Sequence, residues 1–320
     1  MTTREEAMAT PEAPTPPEGV WPSVTAIIPT VDRAEPLRRA VLSVLCQRYP
    51  GEIECIVVFD GREPTRPDVV VPERRSLVLA TNTRSPGLAG NRNTGAILAT
   101  GEFVAFLDDD DAWHPDKLRR QIEAYRLDPD VSMVSCGIVL TSGGRRHRRV
   151  PHSDRLTLDD LTTSRRAEIH SSSILMRRDR FVNEIGLIDE EIPGSYGEDY
   201  DILLRAAKIA PIVVVTEPLV QVSWTLSYFN DRWATMIEAI HYHLNKHSEL
   251  KTPRNLARMY GRLAFAHAAD GEPRTAREWA RRSIELNWKQ PRGYLAYLVS
   301  WGLLKPSWVM RAAHAVGRGV

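Results

Sequence analysis

The sequence predicts an α/β protein, a mostly parallel sheet flanked by helices, with an all-helical C-terminal extension. Two observations point there. Short β-branched runs alternate with helical patterns in units of about 30 residues, the length of a strand–helix–strand crossover. Those runs are almost continuously apolar, as strands buried on both faces must be, and after about Asn230 the strand signal stops.

In chain order, Val24–Ile28 is a β-branched run broken by Pro29-Thr30-Val31-Asp32-Arg33. Leu37, Ala40, Val41, Val44 and Leu45 follow at helical spacing, and Tyr49-Pro50-Gly51 stops that helix. Ile53–Phe59 is a second buried strand closed by Asp60-Gly61, and Leu77–Ala80 is a third, weaker one. Gly87–Ala99 reads as a helix despite its glycines, and Phe103–Leu107 as the fourth strand. Beyond Pro115 the pattern predicts helices over Lys117–Tyr125 and Tyr200–Ile209 and strands at Val131–Leu140, Ser172–Met176 and Ile212–Val215. Arg145–Arg149 reads as a basic loop. Further on, Leu256, Tyr260, Leu263, Ala264 and Phe265 share one helix face, and Asp270-Gly271-Glu272-Pro273 turns the chain into a helix marked by Ala276, Trp279, Ala280 and Ile284. This pair has the length and small/large alternation of one tetratricopeptide-type unit; a single unit cannot build a solenoid, so it is expected to pack on the main domain. The expected organisation is a disordered lead over 1–22, an α/β domain over 23–229 and a helical region over 230–320.

The chain has 320 residues, 42% of them apolar, and a net charge of +1. That suffices for a sizeable core and gives no global field for nucleic acid. Cys46, Cys55 and Cys136 are odd in number and far apart, which points to a reducing compartment and away from structural zinc. No apolar run reaches the ~18 residues of a membrane span, and the proline-rich, charged start lacks the apolar stretch of a signal peptide. The expected location is the cytoplasm, with peripheral attachment to the inner face of the membrane as an option.

The chemistry concentrates where Phe103–Leu107 runs into Asp108-Asp109-Asp110-Asp111. Two like charges about 4 Å apart repel by roughly 4 kcal/mol at an effective dielectric of ~20, so four adjacent carboxylates ask for a cation. Mg²⁺ takes one or two carboxylates together with substrate phosphates, and open α/β sheets bind ligands beyond the carboxyl ends of their strands. An acidic turn that merely caps the next helix would need one Asp. Asp32 and Asp60 bring further acids to the same expected edge.

Four segments follow in a specific order: Ile27–Arg33, Val57–Gly61, Gly87–Gly95 leading into Leu107–Trp113, and Gly197-Glu198-Asp199-Tyr200-Asp201 before a helix with Arg205. Over about Val24 to Trp224 this set resembles the family 2 glycosyltransferases of GT-A fold. The resemblance implies an inverting enzyme that moves a sugar from a nucleoside-diphosphate donor to a hydroxyl of a saccharide, lipid-linked or small-molecule acceptor, with Mg²⁺ or Mn²⁺. It implies that Pro29, Asp32 and Asp60 line the base and ribose pocket, with Arg84 in the following loop and Arg92 and Asn93 facing the nucleotide. Asp108 and Asp110 match the D-x-D motif and are the expected metal acids, the first typically near the ribose and the second on the metal that bridges the diphosphate. Asp109 lies beside them on the donor, and with four acids present Asp109 or Asp111 could exchange roles with Asp110. Asp199 matches the catalytic base, with Glu198 as the alternative. Many relatives carry a further histidine after the base, whereas Gln221–Tyr228 has none, so fewer protein ligands are expected on the metal.

That inventory suits the chemistry. A nucleotide diphosphate leaves as a multiply charged anion, which a Lewis acid stabilises, and the acceptor hydroxyl needs a positioned carboxylate to take its proton. In a single displacement these act on opposite faces of the sugar, so they should come from separate segments; about ninety residues lie between Asp110 and Asp199.

Other features have two readings each. His170, before Ser171-Ser172-Ser173, reaches a sugar or is a satisfied loop histidine. Arg145–Arg149 binds an anionic acceptor or is a solvated charge run. Trp224, Tyr228 and Trp233 stack on sugar or fill core. Tyr294–Met310, with Trp301 and Trp308 between Arg292 and Arg311, lies in a membrane interface or docks on the preceding helices. Two rival functions remain in view. A sugar-phosphate nucleotidyltransferase would need a glycine-rich loop with Arg and Lys after the first strand, which Pro29–Arg33 lacks. A non-catalytic partner-binding module on the same scaffold would not need the acids. No G-x-G-x-x-G follows the first strand, which disfavours a dinucleotide dehydrogenase.

Overall fold

The computed structural model describes residues 19–31, 33–142, 144–163, 168–223 and 232–315. Asp32, Trp224, Tyr228, the boundary expected at 229/230 and most of the expected N-terminal lead lie outside the described residues. Trp21 packs edge-on against Tyr49, ring centres 5.3 Å apart, so the α/β domain already includes it.

Strand β1 (Val24–Thr30) is buried along its whole length. Its side chains alternate between two cores, as the period of a strand dictates. Val24, Ala26 and Ile28 pack with Leu37, Val41 and Val44 of helix α1 (Ala34–Leu45), whose five buried residues are the five read at helical spacing. After β2 (Ile53–Phe59) and β3 (Arg75–Thr81), Ala89 and Ala96 of α2 (Leu88–Leu98) pack on the other face with Ile27. Gly95 permits that approach, because a Cβ there would stand 2.4 Å from Ile27 Cγ2. With β4 (Phe103–Phe106), these strands run parallel in the order β3-β2-β1-β4. Thr30, Phe59 and Phe106 therefore end at one edge of the sheet.

The other half of the sheet is mixed. It holds β5 (Ala112–Trp113), β6 (Met133–Ser142), β7 (Arg145–Arg149), β8 (Arg155–Leu156), β9 (Leu175–Arg177) and β10 (Ile212–Ser223), joined as β4-β9-β6-β10-β5 with β7 on β6 and β8 on β10. Three expectations change here. Arg145–Arg149 is a strand, paired antiparallel with Ile138–Ser142; its partner supplies the ladder, and charge on a free edge guards against further pairing. The stretch expected as a strand at Ser172–Met176 is a 3₁₀ turn over Ser171–Ser173 followed by the short β9. Strand β10 continues past Val215 because register shifts on either side of Pro218 absorb the residue that interrupts its pattern.

Helices α3 (Lys117–Leu127), α4 (Leu158–Thr163), the single turn α5 (Arg178–Arg180) and α6 (Glu198–Ile209) complete this domain. The C-terminal region is α7 (Trp233–Lys246), α8 (Pro253–Ala269), α9 (Pro273–Leu286), α10 (Pro291–Ser300) and α11 (Pro306–Ala315). Met236, Ile240, Met259 and Leu263 enter the same core as Ile202 and Leu203 of α6, so the helical region shares its packing with the sheet domain. Helices α8, α9 and α10 close a small core of their own around Phe265, Ala280 and Ala296. Trp233 is partly buried and packs edge-on against Phe265 at 5.8 Å.

Lys117, the first residue of α3, is fully buried, its ammonium 4.0 Å from the centre of the Trp113 ring and without a hydrogen-bond partner. Burial pushes its pKa down to about 8. A cation depressed in this way destabilises the fold below that pH, and the cost fades as pH rises toward the unfolded value of 10.5. Lys117→Met should raise stability at neutral pH by about 1–2 kcal/mol, the lost cation–π contact set against the removed desolvation. The gain should shrink above about pH 8, as urea unfolding at neutral and alkaline pH would read.

Candidate active site

Strand β4 delivers Asp108–Asp111 to the carboxyl edge of the sheet, and the turn sorts its acids by direction. The side chains of Asp108 and Asp110 are 22% and 24% exposed, those of Asp109 and Asp111 only 4% and 1%. Asp109, expected to face the donor, accepts from Thr30 Oγ1 at 2.6 Å and from Arg33, and so braces the turn against the end of β1. Asp111 accepts from Ser172 Oγ at 2.6 Å and from the Ser223 N–H at 3.0 Å. Burial raises the Asp111 carboxyl to about 7 despite the opposing pull of His170. Asp110 receives Arg33 Nη1 at 2.9 Å; burial and the adjacent acids still hold its pKa above the usual range.

The facing element is the start of α6. Gly197 adopts φ +88°, and a Cβ there would stand 3.0 Å from His243 Nε2, so glycine is required for both reasons. Glu198, Asp199 and Asp201 fill the first turn, where the helix dipole favours acids. Asp199 is half-buried and accepts the Tyr200 N–H at 2.8 Å. Asp201 is buried and accepts from Lys246 at 2.6 Å, Arg205 at 2.8 Å and His247 Nε2 at 2.8 Å. Its pKa lies well below the usual range because these partners outweigh burial. Asp201, His243 and His247 cluster closely enough to hold an ion, but Arg205 and Lys246 already neutralise that carboxylate. The cluster instead anchors α6 to α7, and no motif flags it, since His247 lies 46 residues from Asp201.

Arg92 joins the two elements. It is 1% exposed, donates from Nη2 to Asp108 Oδ1 at 2.5 Å and from Nη1 to Glu198, and lies over the Phe106 ring at 5.7 Å. One guanidinium cannot neutralise both acids. Against its burial, Asp108 is held below the usual range by Arg92, His170 and Ser171. Glu198 is raised to about 7 by burial, against the pull of Arg92 and with the help of Asp199.

Two residues expected to face the nucleotide are thus internal. Arg92 is a buried bridge, and Asn93 is fully buried, its amide spent on the Ile188 backbone at 2.8 and 2.9 Å and on Glu190 Oε1 at 2.6 Å. Arg84 pairs with the same Glu190, to which no sequence pattern pointed. Asp60 accepts from the Gly87 N–H at 2.7 Å and from Asn82 Nδ2 at 3.0 Å, fixing the start of α2. Pro29 sits in β1 opposite Val58.

His170 reaches the acid edge. Its Nδ1 is 3.4 Å from Asp111 Oδ2, and Asp108, Asp111 and His170 offer donors all within 4.8 Å of one another. Each of these carboxylates already has protein donors, Asp111 from Ser172 and the Ser223 N–H, Asp108 from Arg92 and from Ser171 Oγ at 3.1 Å, and the neighbouring Asp110 from Arg33. Carboxylates with one imidazole fit Mg²⁺ or Mn²⁺.

Residues 25–184 match the family described as glycosyl transferase family 2, half of the chain, and the chain belongs to that family. It is 31% identical over 202 residues to the succinoglycan biosynthesis protein ExoO of Rhizobium meliloti, covering 58% of this chain and 56% of that one. S. aureus TarS 1-349 in complex with UDP-GlcNAc superposes with a TM-score of 0.57 at 15% identity, covering 88% of this chain and 91% of that one. The mannosyltransferase PcManGT of Pyrobaculum calidifontis, in complex with GDP-Man and Mn²⁺, gives 0.50 at 19% identity over 93% of this chain and 86% of that one. At these identities the structures establish the GT-A fold. The chain spans between 28% and 63% of the length of the curated relatives compared.

Arg92→Leu should cost about 3–5 kcal/mol, because two acids lose a buried cation, and adding Glu198→Gln should recover part of that loss; urea unfolding checks both. Folded Glu198 keeps its proton up to about pH 7, whereas the unfolded side chain releases it near 4.5. Its burial therefore costs stability as pH rises through that window, and Glu198→Gln should flatten the fall in the unfolding midpoint.

Proposed function

We propose that this chain is an inverting glycosyltransferase that takes a sugar from a nucleoside-diphosphate donor, with Mg²⁺ or Mn²⁺, and passes it to an acceptor hydroxyl. The observation that carries this reading is the buried Arg92 guanidinium, which hydrogen-bonds Asp108 at the end of β4 and Glu198 at the start of α6. Acids suited to a metal diphosphate and a carboxylate suited to proton transfer thereby meet from separate segments. The nucleotide sugars bound by TarS and PcManGT, and the Mn²⁺ of the latter, support the donor and cofactor assignment.

Asp108, Asp110 and His170 would hold the cation, which when bound offsets charge on the departing diphosphate. Asp60, Pro29 and Arg84 would border the base and ribose, a role we assign to Asp32 as well. Asp199 takes the proton of the attacking hydroxyl as the new glycosidic bond forms and the bond to the diphosphate breaks. Glu198 is the poorer base, being 7% exposed and tied to Arg92; it is a positioning residue. The name of ExoO supports saccharide assembly as the setting, and hence a sugar or lipid-linked hydroxyl as acceptor.

Thermal unfolding against a panel of nucleoside diphosphates, with and without Mn²⁺, tests the donor site. Ligand at 100 times its Kd should stabilise the fold by about 2.7 kcal/mol. One nucleotide should act, only with Mn²⁺, and the shift should vanish in Asp110→Asn. A folded protein that no nucleotide stabilises would overturn the reading.

A further inference from the structure

We propose that the outer face of α10, with the turns at its two ends, is a docking surface for an anionic lipid bilayer. Tyr294, Leu298 and Trp301 recur at helical spacing along that face and are 46%, 39% and 66% exposed. Trp288 just before the helix and Leu303 just after it are more exposed still, and Trp308 on α11 adds a third open indole. Among the described residues, every exposed tryptophan lies in this region. Single exposed apolar residues are ordinary, but an aromatic stripe with open ends is not.

Charge identifies the occupant. From Pro273 to Ala315 the chain carries eight arginines and lysines against two glutamates, while the whole chain is only +1. The cations sit beside the aromatics. Lys289 lies over the Trp288 ring at 5.3 Å, Arg277 over Trp301 at 4.6 Å and Lys305 over Trp308 at 5.8 Å. Indoles with adjacent cations suit the boundary of an anionic membrane, where the ring enters the headgroup layer and the charge meets phosphate. A second copy of this face would be a poor partner, because like-charged surfaces would be brought together. Contact would be peripheral, since among the described residues no helix is long and apolar enough to cross a membrane. The surface is independent of the donor chemistry, so its failure would leave the proposed reaction untouched.

The test is co-sedimentation of the full chain with vesicles of equimolar phosphatidylglycerol and phosphatidylcholine, against vesicles of phosphatidylcholine alone, with tryptophan emission as a second readout. Binding to the anionic vesicles alone, with a blue shift and loss at high salt, is expected. Trp288→Ser/Trp301→Ser/Leu303→Ser should weaken it by at least about tenfold, and so should Lys289→Glu/Lys305→Glu, with thermal unfolding unchanged in both. Absence of binding, or binding that neither variant weakens, would overturn the proposal. So would a wild-type dimer in solution that the apolar variant converts to monomer, because the face would then be covered by a second copy.

Discussion

The site depends on one buried guanidinium. Arg92 lies in α2 and meets Asp108 from β4 and Glu198 from α6, so three elements distant in sequence share a single cation. A buried charge without partners costs several kcal/mol, and Arg92 is only 1% exposed. The fold must therefore keep both acids within reach of it. That requirement sets the distance between the two halves of the proposed cleft more firmly than apolar packing alone could.

The remaining acids follow from the same constraint. Asp109 and Asp111 turn inward to Thr30, Arg33, Ser172 and Ser223, which pins the four-acid turn from both sides. Asp108 and Asp110 are left at the surface. Across the cleft, Asp201 is locked by Arg205, Lys246 and His247, so the first turn of α6 is fixed from behind. Asp199 is the half-buried acid of that turn, whereas Glu198 and Asp201 are buried against Arg92 and against Arg205, Lys246 and His247.

Much of the architecture was legible because parallel strands buried on both faces leave little choice of residue; Ile53–Phe59 was read with its bounds intact. The acidic edge was legible because charge accumulated at strand ends. What stayed hidden were pairings across long separations and strands that borrow their stability from a partner. Nothing near Arg92 in sequence announces Glu198, and Asn93 looks as available to a nucleotide as to the Ile188 backbone. Arg145–Arg149 carries no strand propensity of its own, yet the exposed edge of β6 imposes one. The register of the four acids was likewise open until burial separated Asp108 and Asp110 from Asp109 and Asp111.

The central claim is a division of labour across Arg92, with donor and metal on the Asp108 side and proton transfer at Asp199. It is tested most directly by Asp199→Asn, with donor affinity measured by calorimetry and turnover by nucleoside-diphosphate release on the same protein. The account predicts unchanged Mn²⁺-dependent donor binding and a fall in turnover of about 10²–10⁴. Turnover that survives the substitution, or donor binding that disappears with it, would contradict the account.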